Sequence, residues 1–371
     1  MSDVGVRTVL VVTTHTIAPI ATSWFAAEIR ASFVCLTSCM TEIYSRCTAR
    51  SGANADFVMR VYFAAMPPVR LEQEPSIMSP WKHAALATYY HATRPYRAWW
   101  NRRAAAAKRA PVMILFYHRV ADDNANGWTC SRRVFEQQMR WLKRHCDCVS
   151  LAEAQRRIRE GNTRPAAVVT FDDGYGENND FALPLLVREK IPCTYFVTLH
   201  HVRHGIPFPH DMRMGNTFRP NTLGDLRHWA AEGIDIGAHT RTHPDIGKID
   251  DRARLEDEIV TAGEELQQFL SRPVRYFAFP FGLPANMQPA AFDLAFEAGY
   301  DGVCSAYGAY NIPGDDPFHL QRIHADEDLL RVRNWLSVDP RKLDVPRYQY
   351  QQPTPKVPAA QPAEHSPQIG V

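Results

Sequence analysis

Between residues 112 and 305, short apolar runs alternate with segments of helical period. No other feature constrains the fold of this 371-residue chain as tightly. Val112–Tyr117, Ala166–Phe171, 194–197, 234–238, 276–279 and Gly302–Ser305 read as strands short enough to be buried on both faces. Helices are predicted between them. Ser131 caps one over 131–145, with Phe135, Met139 and Leu142 on one face, and Gly161 stops a second, Leu151–Glu160. Others are expected over 181–189, 223–232, 251–270 and 289–298; the third of these carries Leu255, Ile259, Leu266 and Phe269 at helical spacing. Such alternation implies a parallel sheet with helices outside, open or closed into a barrel. Neither G-x-G-x-x-G after the first strand nor G-x-x-x-x-G-K-[ST] occurs. A barrel with its site at the carboxyl ends of the strands is therefore favoured over a nucleotide-binding sheet.

The ends differ from this body. Residues 1–77 hold only a moderately apolar run (9–20), interrupted by Thr13, Thr14, His15, Thr16 and Pro19, which fits neither a spanning helix nor a signal peptide. They are expected to be a poorly ordered extension, with translation starting at Met78. From Pro75 to Ala121 there is no acidic residue, yet Lys82, Arg94, Arg97, Arg102, Arg103, Lys108 and Arg109 are interleaved with Trp81, Tyr89, Tyr90, Tyr96, Trp99 and Trp100. A basic aromatic segment over 78–110 can lie in the headgroup region of an anionic membrane; the alternative is an extension docked on the domain. The Pro- and Gln-rich residues 340–371 are expected to be a disordered tail, leaving 111–339 as the folded domain. A net charge of +2 gives no mandate for nucleic acid. The eight cysteines form no CxxC pair, so reduced thiols are expected.

Three constellations follow predicted strands. In Thr170-Phe171-Asp172-Asp173-Gly174, two adjacent carboxylates can point apart, one holding a metal while the other works as a base; alone, the motif is as readily a turn. His239 and His243, four apart, can share a metal, since two imidazoles and one carboxylate leave room for water on zinc. Phe279-Pro280-Phe281-Gly282 is a turn that can present a backbone N–H to a developing oxyanion, or simply the end of an aromatic strand.

In their order, these motifs resemble the polysaccharide deacetylase family (carbohydrate esterase family 4, the NodB-homology domain). The resemblance extends to Tyr117-His118-Arg119-Val120, Pro192-Cys193-Thr194-Tyr195-Phe196-Val197 and Leu320-Gln321-Arg322-Ile323, and spans roughly 112–337. It implies a distorted (β/α)7, TIM-like barrel. It also implies a divalent metal, foremost zinc, on Asp173, His239 and His243, with Asp172 as general base and the Phe281 amide at the oxyanion. His118, Tyr175, Phe279 and Pro280 would line the substrate pocket. Two places depart from the family pattern. Ala278 stands where an arginine usually orients the base, which leaves Arg322 as either its substitute or an ordinary ion-pair residue. His324 is the nearest candidate for the general acid, against a rim histidine. The implied reaction is removal of N-acetyl groups from a sugar in a polysaccharide or its lipid-linked precursor. An O-acetyl esterase and a non-catalytic carbohydrate-binding relic are the alternatives. The expected location is the cytoplasm or the cytoplasmic membrane face, with export left open.

Overall fold

The computed structural model describes residues 79–350, apart from Asp326. Seven parallel strands close into a barrel: β1 (Val112–Tyr117), β2 (Ala166–Phe171), β3 (Cys193–Val197), β4 (Asp235–Ala238), β5 (Tyr276–Ala278), β6 (Gly302–Ser305) and β7 (His319–His324). β1 pairs with β2 on one side, Val112 opposite Ala166, and with β7 on the other, Ile114 opposite Arg322, which closes the ring. A two-residue strand, Asp147–Cys148, adds to the start of β2. The expectation of a (β/α)7 barrel holds.

The strands are buried almost throughout, which is why they read as continuous apolar runs. Helix caps act as the sequence indicates. The Ser131 and Ser150 side chains accept from Val134 N and Glu153 N, and Gly161 ends Leu151–Glu160 at φ 105°. The 251–270 helix is interrupted by a π-turn over Asp257–Thr261, a feature the leucine spacing does not reveal. β7 and the following helix Leu329–Leu336 also escape the apolar pattern. Cys146, Cys148, Cys193 and Cys304 are free thiols.

Segments at both ends pack on the domain. Residues 80–106 form one helix, α1 (Pro80–Ala106), whose inner face docks on the barrel. Buried Arg97 donates to the carbonyl and side chain of Asn334 at 2.8 and 2.6 Å, and Tyr89 Oη donates to Asp339 Oδ1 at 2.8 Å. Residues 340–350, expected to be tail, also pack. The Tyr348 and Tyr350 rings stack on Phe292 at 5.4 and 4.1 Å, and the aromatic area they bury outweighs the polar composition around them. The expectations for residues 1–77 and 351–371 lie outside the described residues.

Candidate active site

The carboxyl ends of β2, β4, β5 and β7 bring the motifs together. After β2 the chain turns sharply, with Asp173 at φ 72° and Gly174 at φ 95°. A Cβ on Gly174 would meet Val197 and Val202 at 3.2 Å, so backbone and packing both favour glycine. The left-handed Asp173 sends the two neighbouring carboxylates to different partners.

Asp172 faces Arg322 of β7. Nη1 and Nη2 of this fully buried arginine donate to Asp172 Oδ1 and Oδ2 at 2.6 and 2.9 Å. Its Nε donates to the Ser305 carbonyl at 3.0 Å, and the Phe116 and Phe196 rings flank it at 4.8 and 5.3 Å. Burial pushes the Asp172 carboxyl up, but the adjacent guanidinium outweighs it and holds the carboxyl below its ordinary value. Arg322 is therefore not a surface residue, and its buried ion pair with Asp172 is common to both readings left open for it.

Asp173 faces the histidines. Its Oδ1 lies 3.3 Å from His243 Nε2 and 3.5 Å from His239 Nε2, yet it is buried without a hydrogen bond. His239 Nδ1 lies 2.8 Å from the Ala278 carbonyl and donates there, which leaves Nε2 with its lone pair toward the cluster. Burial lowers His239 to about 4, so the ring is neutral near pH 7, as a ligand must be. One ligand atom from each of Asp173, His239 and His243 falls within 4.8 Å of the others, and these residues could hold a metal ion. An orphaned buried carboxylate oxygen between two imidazole nitrogens fits a cation.

The 239–243 loop is held from behind. Buried Glu258, carried by the π-turn, accepts from Arg241 N at 2.9 Å, Thr242 N at 2.8 Å and Thr242 Oγ1 at 2.5 Å. Thr240 and His243 take positive φ, 66° and 61°, and Thr240 Oγ1 accepts from His243 N at 2.9 Å. Nothing in the sequence marked Glu258, which lies one helix away from the motif it supports.

The turn after β5 puts the Phe281 ring 56% exposed and 5.2 Å from His243. Phe279 and Pro280, expected to line the pocket, are buried instead; Phe279 packs on Phe292 and Phe277. Tyr175, also expected in the pocket, is buried and donates to Asp211 Oδ2 at 2.7 Å, a strut rather than a surface. Through this strut comes a group the sequence did not reveal. Asp211 is fully buried between Tyr175 and Asn126, and the neighbouring His210 ring stands 6.4 Å from His243 at the rim. Across the site, His118, His324 and Trp128 cluster with ring centroids 4.6 to 6.0 Å apart. Burial lowers both imidazoles, His324 to about 3; Asp173 and Asp172 pull His118 back up.

Residues 159–303 match the model of the polysaccharide deacetylase family. Over that stretch the chain is similar to polysaccharide deacetylases. The matched stretch contains Asp172, Asp173, His239, His243 and Phe281; His118, Arg322 and His324 fall outside it and rest on geometry. A chitooligosaccharide deacetylase of Bradyrhizobium sp. (strain ANU 289) is 28% identical over 120 residues, 31% of this chain and 45% of that protein. Another, of Sinorhizobium fredii, is 26% identical over 34% of this chain and 51% of that protein. The chain thus spans about half the length of these two curated relatives. IcaB from Ammonifex degensii superposes with a TM-score of 0.51 at 26% identity, covering 62% of this chain and 98% of that one. The fold is thereby shared with that structure over 62% of this chain.

Proposed function

We propose that this chain is a polysaccharide deacetylase, a metal-dependent hydrolase that removes N-acetyl groups from a sugar of a polysaccharide or its lipid-linked precursor. The observation that carries the reading is the division of labour between two adjacent carboxylates. Arg322 clamps Asp172, while Asp173 is orphaned between His239 and His243.

Asp173, His239 and His243 would hold the divalent metal, and two imidazoles with one carboxylate suit zinc. When bound, the metal supplies Lewis acidity that polarises the acetyl carbonyl and makes water a better acid. Asp172, kept ionised by Arg322, takes one proton from the attacking water. The water oxygen bonds to the carbonyl carbon, and the Phe281 N–H faces the oxygen on which charge gathers. Breaking the C–N bond gives acetate and an amine that needs a proton. Burial keeps the His324 and His118 rings neutral at rest, so His324, with His118 as its rival, would relay to the amine the proton that Asp172 took from the water. Arg322 takes over the orienting role for which Ala278 has no side chain.

An O-acetyl ester would pass through the same steps, so substrate preference decides between the two. The test is acetate release from N-acetylglucosamine oligomers and from O-acetylated sugars by metal-stripped and zinc-reloaded protein, with His239→Ala as control. Zinc-dependent release that the control lacks supports the hydrolase. Absence of both release and metal binding refutes it and leaves the carbohydrate-binding relic.

A further inference from the structure

The helix α1 has two unlike faces. Its inner face is spent on the barrel through Tyr89, Arg97 and Ala104. Trp81 and Trp99 are 18 residues apart, which at 3.6 residues per turn is five full turns, so both project along one meridian. That meridian faces away from the barrel: Trp81 is 65% exposed, Trp99 54% and the neighbouring Tyr96 47%. Between the tryptophans the outward positions are small or uncharged, with Ala84, Thr88, Ala92 and Pro95 all exposed. Exposed Arg102 and Arg103 border it, with exposed Lys82 and Arg94 further round the helix, and the Arg103 guanidinium lies over the Trp99 ring at 5.8 Å. The helix contains no carboxylate at all.

A helix facing only water gains from mixed charges and i,i+4 pairs, and it has no use for two tryptophans on its outermost line. Indole rings bordered by arginine and lysine, with no negative charge to repel phosphate, match the headgroup layer of an anionic bilayer. The helix is anchored behind by Arg97, so this face is presented rigidly. At about 1.5 Å per residue, the two tryptophans give two wedges roughly 27 Å apart.

We infer that the outward face of α1, centred on Trp81 and Trp99, docks this protein peripherally on anionic phospholipid bilayers. No described helix is long and apolar enough to cross a membrane, so the contact is interfacial. His83 lies 3.7 Å from Asp328, just beyond the end of β7. The Trp81 end therefore stands at the end of the barrel that carries the candidate site, and docking holds its mouth beside the bilayer.

The full chain is tested by co-sedimentation with vesicles of phosphatidylcholine alone and of phosphatidylcholine with about one third phosphatidylglycerol. Binding to the anionic vesicles only, weakened by salt, is expected. Trp81→Ala with Trp99→Ala should weaken binding at least tenfold, and Arg102→Glu with Arg103→Glu should abolish the preference for anionic lipid, by order of magnitude. Both pairs are exposed, so melting temperatures should match that of the parent chain. Full-length protein that stays in the supernatant overturns the inference and assigns the face to another occupant, protein or nucleic acid. Binding that neither variant alters overturns it as well, because the contact then lies elsewhere.

Discussion

Arg322 grips both oxygens of Asp172, at 2.6 and 2.9 Å, although the two residues are 150 positions apart. The pair spans the barrel interior from β7 to the turn after β2, and among the described residues neither partner has another counter-ion of comparable geometry. Removing the arginine leaves a buried carboxylate uncompensated. Arg322→Ala is expected to cost about 3–5 kcal/mol of unfolding free energy. The low carboxyl of Asp172 adds stability above the unfolded carboxylate range, and that part is lost as pH falls through it. The penalty should therefore shrink below about pH 4. Denaturant melts of both proteins across pH check this, and a gap independent of pH would mean that the ion pair is not its source.

Asp172→Asn keeps the shape and removes the base. Zinc should bind as in the parent, while acetate release falls about a hundredfold to ten-thousandfold. Metal content by mass spectrometry, measured beside turnover, separates this from loss of the site. Substantial retained activity would remove Asp172 from the role of base.

Glu258 touches neither substrate nor metal ligand, but it ties down the backbone that carries both histidines. Glu258→Gln replaces an acceptor with a donor that faces N–H groups. Zinc affinity should drop about 10–100-fold, the range for outer-shell supports of metal ligands. Titration against a chromophoric chelator reads it directly, and unchanged affinity would show that the Thr240–His243 hydrogen bond alone sets the loop.

The proton donor separates by leaving group. An amine must be protonated to leave, whereas a nitrophenolate leaves unaided, so a variant lacking the donor loses amide but not activated-ester hydrolysis. His324→Asn is expected to lower release from N-acetyl sugars about a hundredfold or more while keeping nitrophenyl acetate turnover within a few fold. The same signature in His118→Asn instead would transfer the role.

What could be read from the sequence followed physical type. β1, β2 and β3 are buried on both faces and announce themselves as unbroken apolar runs. β7 is equally buried, yet it carries His319 and Gln321 on one face and Arg322 on the other, polar groups that spoil the hydrophobic pattern. Asp173, His239 and His243 were legible because each lies in a recognisable motif just after a strand. Glu258 and Asp211 were not, since their importance lies in contacts made across the fold by residues with no local signature. Phe279 and Pro280 were misplaced for a related reason: a turn shows which residues it contains, but not which of them face inward.

His319 offers a stability test away from the metal cluster. It is buried at the start of β7, with Nε2 2.9 Å from Ser305 Oγ and the rings of Phe292 and Tyr350 at 5.1 and 6.1 Å. Burial lowers it to about 4 from an ordinary 6.5; Asp316 opposes the shift and Arg347 adds to it. Between those two values the unfolded chain binds the proton and the folded chain does not, so stability rises with pH across that window. The contribution is complete above about pH 6.5 and lost on descending toward pH 4, about 3 kcal/mol at most. Other lowered imidazoles, His118 and His201 among them, act in the same direction, so acid sensitivity of the parent chain alone proves little. The difference isolates the residue. His319→Gln keeps a polar group near Ser305 but cannot take up the proton, so its deficit at about pH 7.5 should shrink, or reverse, by about pH 4.5. Parallel stability curves for the two proteins would show that His319 stays in one protonation state throughout. The pH dependence would then belong to the remaining histidines.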